Sequence, residues 1–177
     1  MEGGEGARLY AAMLGLEHRL CVVIGGGQVA LRKVEKLLEV GAHVRVISPT
    51  AVSTLLQHAS EGRIEYIGRE YQKGDAGVGF LIIAATDQPE INRKIAQEAE
   101  QSDRFVNVVD DPQRCSFMVP ATYRQDGLQV AISTEGRDPA GAKRLKDTLA
   151  ADFRQGTLFF QDEVRKWWNQ HVQHVKW

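Results

Sequence analysis

The stretch Leu20-Cys21-Val22-Val23-Ile24-Gly25-Gly26-Gly27-Gln28-Val29-Ala30 decides the fold of this chain. Its first half is an uninterrupted apolar run that stops at three glycines, the pattern of a strand buried on both faces feeding a tight turn. From Gln28 the period changes. Val29, Ala30, Val34, Leu37 and Leu38 recur at helical spacing, Arg32, Lys33, Glu35 and Lys36 fill the other faces, and Gly41 supplies a stop. Strand, glycine turn and helix in that order satisfy G-x-G-x-x-A, with Gly25, Gly27 and Ala30 in the small-residue positions. In such a turn the first glycine permits the sharp bend and the second lets the backbone approach a pyrophosphate. The small third residue lets the helix pack closely on the sheet, and the helix N-terminus turns free N–H groups toward the phosphates.

Working outward, His43 to Ile47 reads as the next strand, closed by Ser48-Pro49, and a weaker helical stretch runs from about Thr50 to Ser60. Ile64 to Ile67 and Phe80 to Ala84 supply two further strands. Asp87 and Glu90 read as an N-cap and its capping-box partner for a helix through Ile91, Ile95 and Ala99, and Phe105 to Val109 is a fifth strand. Strands alternating with helices predict a Rossmann-type α/β fold, a doubly wound parallel sheet, over residues 1–112. After Asp111-Pro112 the alternation breaks. Phe117 to Tyr123 and Leu128 to Ser133 read as a hairpin turning at Gln125-Asp126-Gly127, and Asp138-Pro139 opens a helix to about Phe153. These form a small α+β region over 113–155. A last helix over 156–177 repeats Phe160, Val164, Trp167, Trp168, His171 and Val175 at three- and four-residue steps.

The chain has 177 residues, with 22 basic residues against 23 acidic, which gives no global field to recruit nucleic acid or an anionic membrane. Cys21 and Cys115 form no CxxC pair, so neither a disulfide framework nor a metal site is indicated, and Cys21 reads as a small buried hydrophobe. No signal-peptide pattern and no apolar run of membrane-spanning length appears, so the expected location is the cytoplasm. One expected element is missing. The second strand ends in Ser48-Pro49-Thr50, without the Asp or Glu that usually holds the adenosine ribose, which leaves NAD and NADP undistinguished by spacing.

Continued through Ala84-Ala85-Thr86-Asp87-Gln88-Pro89-Glu90-Ile91-Asn92, Asn107-Val108-Val109-Asp110-Asp111-Pro112, Ser116-Phe117-Met118-Val119-Pro120 and Ile132-Ser133-Thr134-Glu135-Gly136-Arg137-Asp138-Pro139, the sequence resembles the precorrin-2 dehydrogenase family. That family includes the N-terminal part of bacterial siroheme synthase and a yeast bifunctional dehydrogenase and ferrochelatase. The resemblance implies NAD-dependent oxidation of the tetrapyrrole precorrin-2 to sirohydrochlorin by a homodimer with a dimerisation region and C-terminal helices. It makes Asp110 the candidate catalytic residue and turns Thr134 toward the substrate. Gln28, Val29, Pro49 and Thr50 become dinucleotide contacts, joined by Gly25 and Gly27 of the turn and by Thr86. Glu135 and Asp138 depart from the Gly-Gly and Ser-Pro that members usually carry, and an added carboxylate there disfavours an anionic substrate nearby.

Each assignment has a plainer alternative. Asp110 at a strand end can serve as a general base, or cap the turn before Pro112 with Asp111. A polycarboxylate substrate calls for a basic patch, for which Arg137 and Lys143 are candidates beside Arg124, Arg144 and Lys146, although a solvated helix face explains any one of them. His171 and His174 stand three apart on the last helix without an acidic third ligand, so no metal site is assigned, and Trp167 and Trp168 read as packing residues. A bifunctional dehydrogenase and ferrochelatase shares all these motifs; a non-catalytic NAD-sensing regulatory module is a third function, but such modules usually keep the acidic ribose residue and have no need of Pro120 or the Gly136 to Pro139 turn, and both points count against it. The length leaves no room for a methyltransferase domain, so the chain is expected to work without one.

Overall fold

The computed structural model describes residues 9–109, 111–125 and 127–155, and the chain divides into one unit ending at Met118 and a second beginning at Val119. The first unit carries β1 (Leu20–Ile24), α1 (Gln28–Leu38), β2 (His43–Ile47), α2 (Ser53–Ser60), β3 (Glu65–Ile67), β4 (Leu81–Ala84), α3 (Pro89–Gln101), β5 (Phe105–Val108) and a single 3-10 turn at Pro112–Arg114. The five strands form one parallel sheet in the order β3-β2-β1-β4-β5. That is the doubly wound arrangement expected from the alternation of periods.

Strand side chains alternate between two apolar layers. Cys21, Val23, Val44, Val46, Leu81 and Ile83 pack against Ala30, Val34 and Leu37 of α1 and Leu55 of α2. Val22, Ile24, Ile82, Ala84, Val106 and Val108 pack against Ile95, Ala96 and Ala99 of α3 on the opposite face. Burial on both faces explains why β1 and β4 read as continuous apolar runs. Cys21 is fully buried, and desolvation pushes its thiol up to about 11, so it behaves as the small hydrophobe expected.

Three local expectations are corrected. Helix α2 begins at Ser53, because residues 48–52 wrap onto the glycine turn. Asp87 does not cap α3: the cap position is Gln88, without a side-chain bond, and Pro89 enters as the first helical residue, where its missing N–H costs nothing. Glu90 pairs with Arg93 within the first turn instead of closing a capping box. No helix bridges β3 and β4. The Glu98 carboxylate organises that connection, accepting from Tyr71 Oη at 2.6 Å and from the backbone N–H groups of Gly74, Ala76 and Gly77 at 2.7–2.9 Å.

The second unit contains β6 (Ala121–Gln125), β7 (Leu128–Ile132) and α4 (Pro139–Gln155). β6 and β7 pair antiparallel, Ala121 opposite Ile132 and Gln125 opposite Leu128. β6 starts four residues later than expected, since Ser116 and Phe117 bond to β5 instead. Asp138 does cap α4, with its Oδ1 accepting from Gly141 N at 2.7 Å. The predicted helix over 156–177, with Phe160, Val164, Trp167, Trp168, His171, His174 and Val175, lies outside the described residues.

Between β7 and α4 the chain makes a tight turn in which Arg137 N donates to Thr134 O at 2.9 Å and the two central residues both have positive φ, Glu135 at 53° and Gly136 at 79°. This turn type selects glycine or asparagine, and a glutamate in its first central place carries a conformational cost of about 1 kcal/mol. The bond from Arg137 to Glu135 at 2.8 Å is solvent-exposed and offsets only a few tenths. Glu135→Gly is therefore expected to raise the melting temperature by about 2–4 °C in a thermal unfolding experiment; a lower value would mean that the ion pair outweighs the backbone strain.

Candidate active site at the strand ends

In an open parallel sheet, ligands bind outside the carboxyl ends of the strands, where neighbouring strands connect in opposite directions. Here that place lies between β1 and β4. The sheet's ladder continues one step past the strands: Gly25 N donates to Ile47 O at 2.9 Å, Ala85 N to Ile24 O at 2.8 Å, and Val109 N to Ala84 O at 2.9 Å. Ser48 N likewise donates to Ile67 O at 3.2 Å, so the segments leaving β1, β2, β4 and β5 are fixed from their first residue.

The three glycines of the turn have different duties. Gly25 has φ +127°, and a Cβ on it would stand 2.2 Å from Ala85 O. Gly26 is buried, and a Cβ there would stand 2.0 Å from Thr50 O and 2.9 Å from Ser48 Oγ, while Val52 N donates to Gly26 O at 2.9 Å. Gly26 thus locks the 48–52 segment onto the turn, a role the fingerprint does not assign to its middle position. Gly27 is exposed, and a Cβ there would meet nothing within 4 Å. The space over Gly27 is the approach that a pyrophosphate requires, and Gln28 and Val29 follow it at the free N–H end of α1.

At the end of β2, Ser48 is buried and its carbonyl accepts from Tyr66 Oη at 2.8 Å, while Pro49 and Thr50 are exposed. Arg45, the nearest cation along β2, is held by Glu65 at 2.8 Å. At the end of β4, the Thr86 hydroxyl donates to Asn92 Oδ1 at 2.7 Å, and Asn92 Nδ2 donates to Thr86 O at 3.1 Å. Gln88 N donates to Thr86 Oγ1 at 3.2 Å. Thr86 therefore shapes the loop into α3 through buried Asn92. Neither Asn92 nor Gly26 was legible as a site residue; a buried amide in the first turn of a helix has no sequence signature of its own.

β5 is an edge strand, and side chains protect its outer edge. Ser116 N donates to Val106 O at 2.9 Å, Val106 N donates to Ser116 Oγ at 2.7 Å, and Val108 N donates to Cys115 Sγ at 3.2 Å. Burial, reinforced by Asp111, raises the Cys115 pKa, so the thiol serves as a neutral bracket and not as a nucleophile. Asp111 pairs with Arg114 at 3.1 Å. Asp110, the candidate catalytic residue, lies outside the described residues.

The other substrate candidates belong to the second unit. Thr134 is half-buried, its Oγ1 accepting from Asp138 N at 3.1 Å; Arg137 is engaged by Glu135; Lys143 is exposed on the second turn of α4. Among the described residues no helix is long and apolar enough to cross a membrane, and no three His, Cys, Asp or Glu side chains come together as a metal site.

Residues 12–121 match the family model NAD_binding_7, described as "Putative NAD(P)-binding". The chain belongs to this NAD(P)-binding family. The matched residues include the turn built above, and the open face of Gly27 fits the pyrophosphate of such a dinucleotide. The chain is also 37% identical over 152 residues to a siroheme synthase of Actinobacillus pleuropneumoniae serotype 3 (strain JL03), a match covering 86% of this chain and 31% of that one. A siroheme synthase of Methylobacillus flagellatus (strain ATCC 51484 / DSM 6875 / VKM B-1610 / KT) is 40% identical over 134 residues, covering 76% and 29%. The chain thus spans less than a third of the length of these curated relatives. Among solved structures, "SirC, precorrin-2 dehydrogenase" superposes with a TM-score of 0.74 at 25% identity, covering 95% of this chain and 83% of that one.

The two glycines make opposite predictions for this NAD(P)-binding protein. Gly27→Val is expected to keep the native melting temperature and to weaken dinucleotide binding by 100-fold or more, roughly the effect of blocking one backbone approach. Gly26→Ala is expected to lower the melting temperature through the clash with Thr50 O. Calorimetric titration with NAD beside thermal melts checks both, and unchanged affinity in Gly27→Val would remove the turn from the site.

Proposed function

We propose that this chain oxidises precorrin-2 to sirohydrochlorin with NAD as the hydride acceptor, in the cytoplasm and as a homodimer. The observation that carries the reading is the match to a precorrin-2 dehydrogenase over 95% of this chain and 83% of that structure, together with a glycine turn left open at Gly27. A siroheme synthase relationship points to the same tetrapyrrole chemistry.

When bound, the nicotinamide supplies a two-electron acceptor. The chain's own residues bind and orient. Gly27, Gln28 and Val29 hold the pyrophosphate on the turn that Gly25 bends, Pro49 and Thr50 hold the adenosine end, and Thr86 sets the loop beside the nicotinamide half. The reaction removes two hydrogens from the substrate, one as hydride and one as a proton, and Asp110 takes the proton and passes it to solvent. Thr134, Arg137 and Lys143 receive substrate carboxylates. Dimerisation is supported by the second unit, where Val119 and Leu145 leave apolar surface exposed.

An anaerobic assay with enzymatically generated precorrin-2 and NAD, following NADH and tetrapyrrole absorbance, tests the reading. Coupled formation of NADH and sirohydrochlorin is expected. Asp110→Asn is expected to bind NAD as the native protein does and to lose about 100-fold or more in kcat, the usual worth of a general base. Full turnover in that variant would end the role of Asp110, and NAD binding without any turnover by the native chain would favour a sensing module. Repeating the assay with ferrous iron reads out chelation as a separate activity.

A further inference from the structure

The connection that leaves β5 at Val109 returns beside the same strand. Ser116 bonds to Val106, Cys115 to Val108, and Asn107 Nδ2 donates to Phe117 O at 3.2 Å, so the successive residues 106, 107 and 108 each hold the returning segment. Cys115 Sγ also donates to Asp111 O at 3.4 Å. Residues on both sides of Asp110 are thereby tied to the edge of the sheet.

One side chain links this bracket to the opposite half of the site. Buried Asn107 turns its Oδ1 to Lys33 Nζ at 3.3 Å, and Lys33 stands on α1, whose first turn follows Gly27. The amide is used from both ends: its oxygen accepts from the helix that begins at the dinucleotide turn, and its nitrogen donates to the segment that closes the acid-bearing connection. No carboxylate pairs with Lys33 among the described residues. Burial lowers its pKa, and the neighbouring charges of Lys36 and Arg32 add to the lowering. A half-buried ammonium with a neutral amide for its partner stabilises a fold little, and an aliphatic side chain would pack there at less desolvation cost.

We propose that Lys33 and Asn107 are positioning residues, which hold the returning segment Asp111 to Phe117 in register with the helix that follows the glycine turn. The inference rests on the dehydrogenase reading for its kinetic consequence. Lys33→Met keeps the stem and removes the ammonium, and Lys33→Arg restores a donor. Lys33→Met is expected to lower kcat by about 10- to 100-fold, the effect of a misplacement of about 1 Å. KM for precorrin-2, affinity for NAD and melting temperature should stay near native values, and Lys33→Arg should recover most of the loss.

Amide hydrogen exchange, followed without substrate or cofactor, provides the second readout: exchange at Asp111 and Ser116 should quicken in Lys33→Met, with β1 amides unchanged. An unchanged kcat, a fall in kcat matched by loss of melting temperature or of NAD affinity, or failure of Lys33→Arg to recover it would overturn the proposal. Should the native chain form no NADH from precorrin-2, the dehydrogenase reading fails by itself. Exchange then decides the positioning role: quickened exchange confined to Asp111 and Ser116 upholds the bracket, and unchanged exchange overturns it.

Discussion

Everything at the strand ends depends on the close approach of the glycine turn to its neighbours. Gly25 lies against the Ala85 carbonyl and Gly26 against the Thr50 carbonyl, at separations that admit no side chain. Those two contacts bring the segments after β1, β2 and β4 into one rigid unit. They also leave Gly27 as the glycine of the turn with open space over it. Two glycines are spent on internal packing so that the third can face a ligand.

The same economy governs the other side of the sheet's end. β5 has no neighbour on its outer edge, and an unpaired edge is a hazard. The chain solves this with Ser116 and the weak acceptor Cys115 in place of a sixth strand. Because these bonds come from a segment only a few residues downstream, protecting the edge also closes the connection that contains Asp110. Edge protection and closure of the connection after β5 are one device, and the Lys33–Asn107 bond joins it to the first.

How far the sequence could be read follows from which features are local. The five strands, α1, α3 and the turn at Gly25 and Gly27 were legible, because apolar period and glycine placement report burial and backbone geometry residue by residue. The Asp138 cap was legible for the same reason. What escaped depends on partners distant in the chain. The Gly26–Thr50 contact, the Thr86–Asn92 clamp and the four bonds gathered by Glu98 have no spacing rule. The misplaced start of β6 has a similar cause: Phe117 is as good a strand former as Tyr123, and the bonds of Val106, Asn107 and Val108 to Ser116, Phe117 and Cys115 draw residues 115–117 back to β5. Asp87 failed as a cap because Pro89 had already set the first helical residue.

The missing acid at the end of β2 follows from this packing. Ser48 is buried beneath Gly26, and its carbonyl is committed to Tyr66, so a larger carboxylate at that position would meet the turn itself. A Rossmann site that packs its second loop this tightly gives up the ion-assisted hold on the ribose. Exposed Pro49 and Thr50 can offer a hydroxyl, a ring face and backbone groups, none of which carries charge. On the proposed reading the dinucleotide would be held chiefly at its pyrophosphate, over Gly27 and the first turn of α1, where N–H groups and the helix dipole act together. Were the adenosine end to lie against Pro49 and Thr50, as proposed, its selection would rest on shape and not on electrostatic repulsion of a 2′-phosphate.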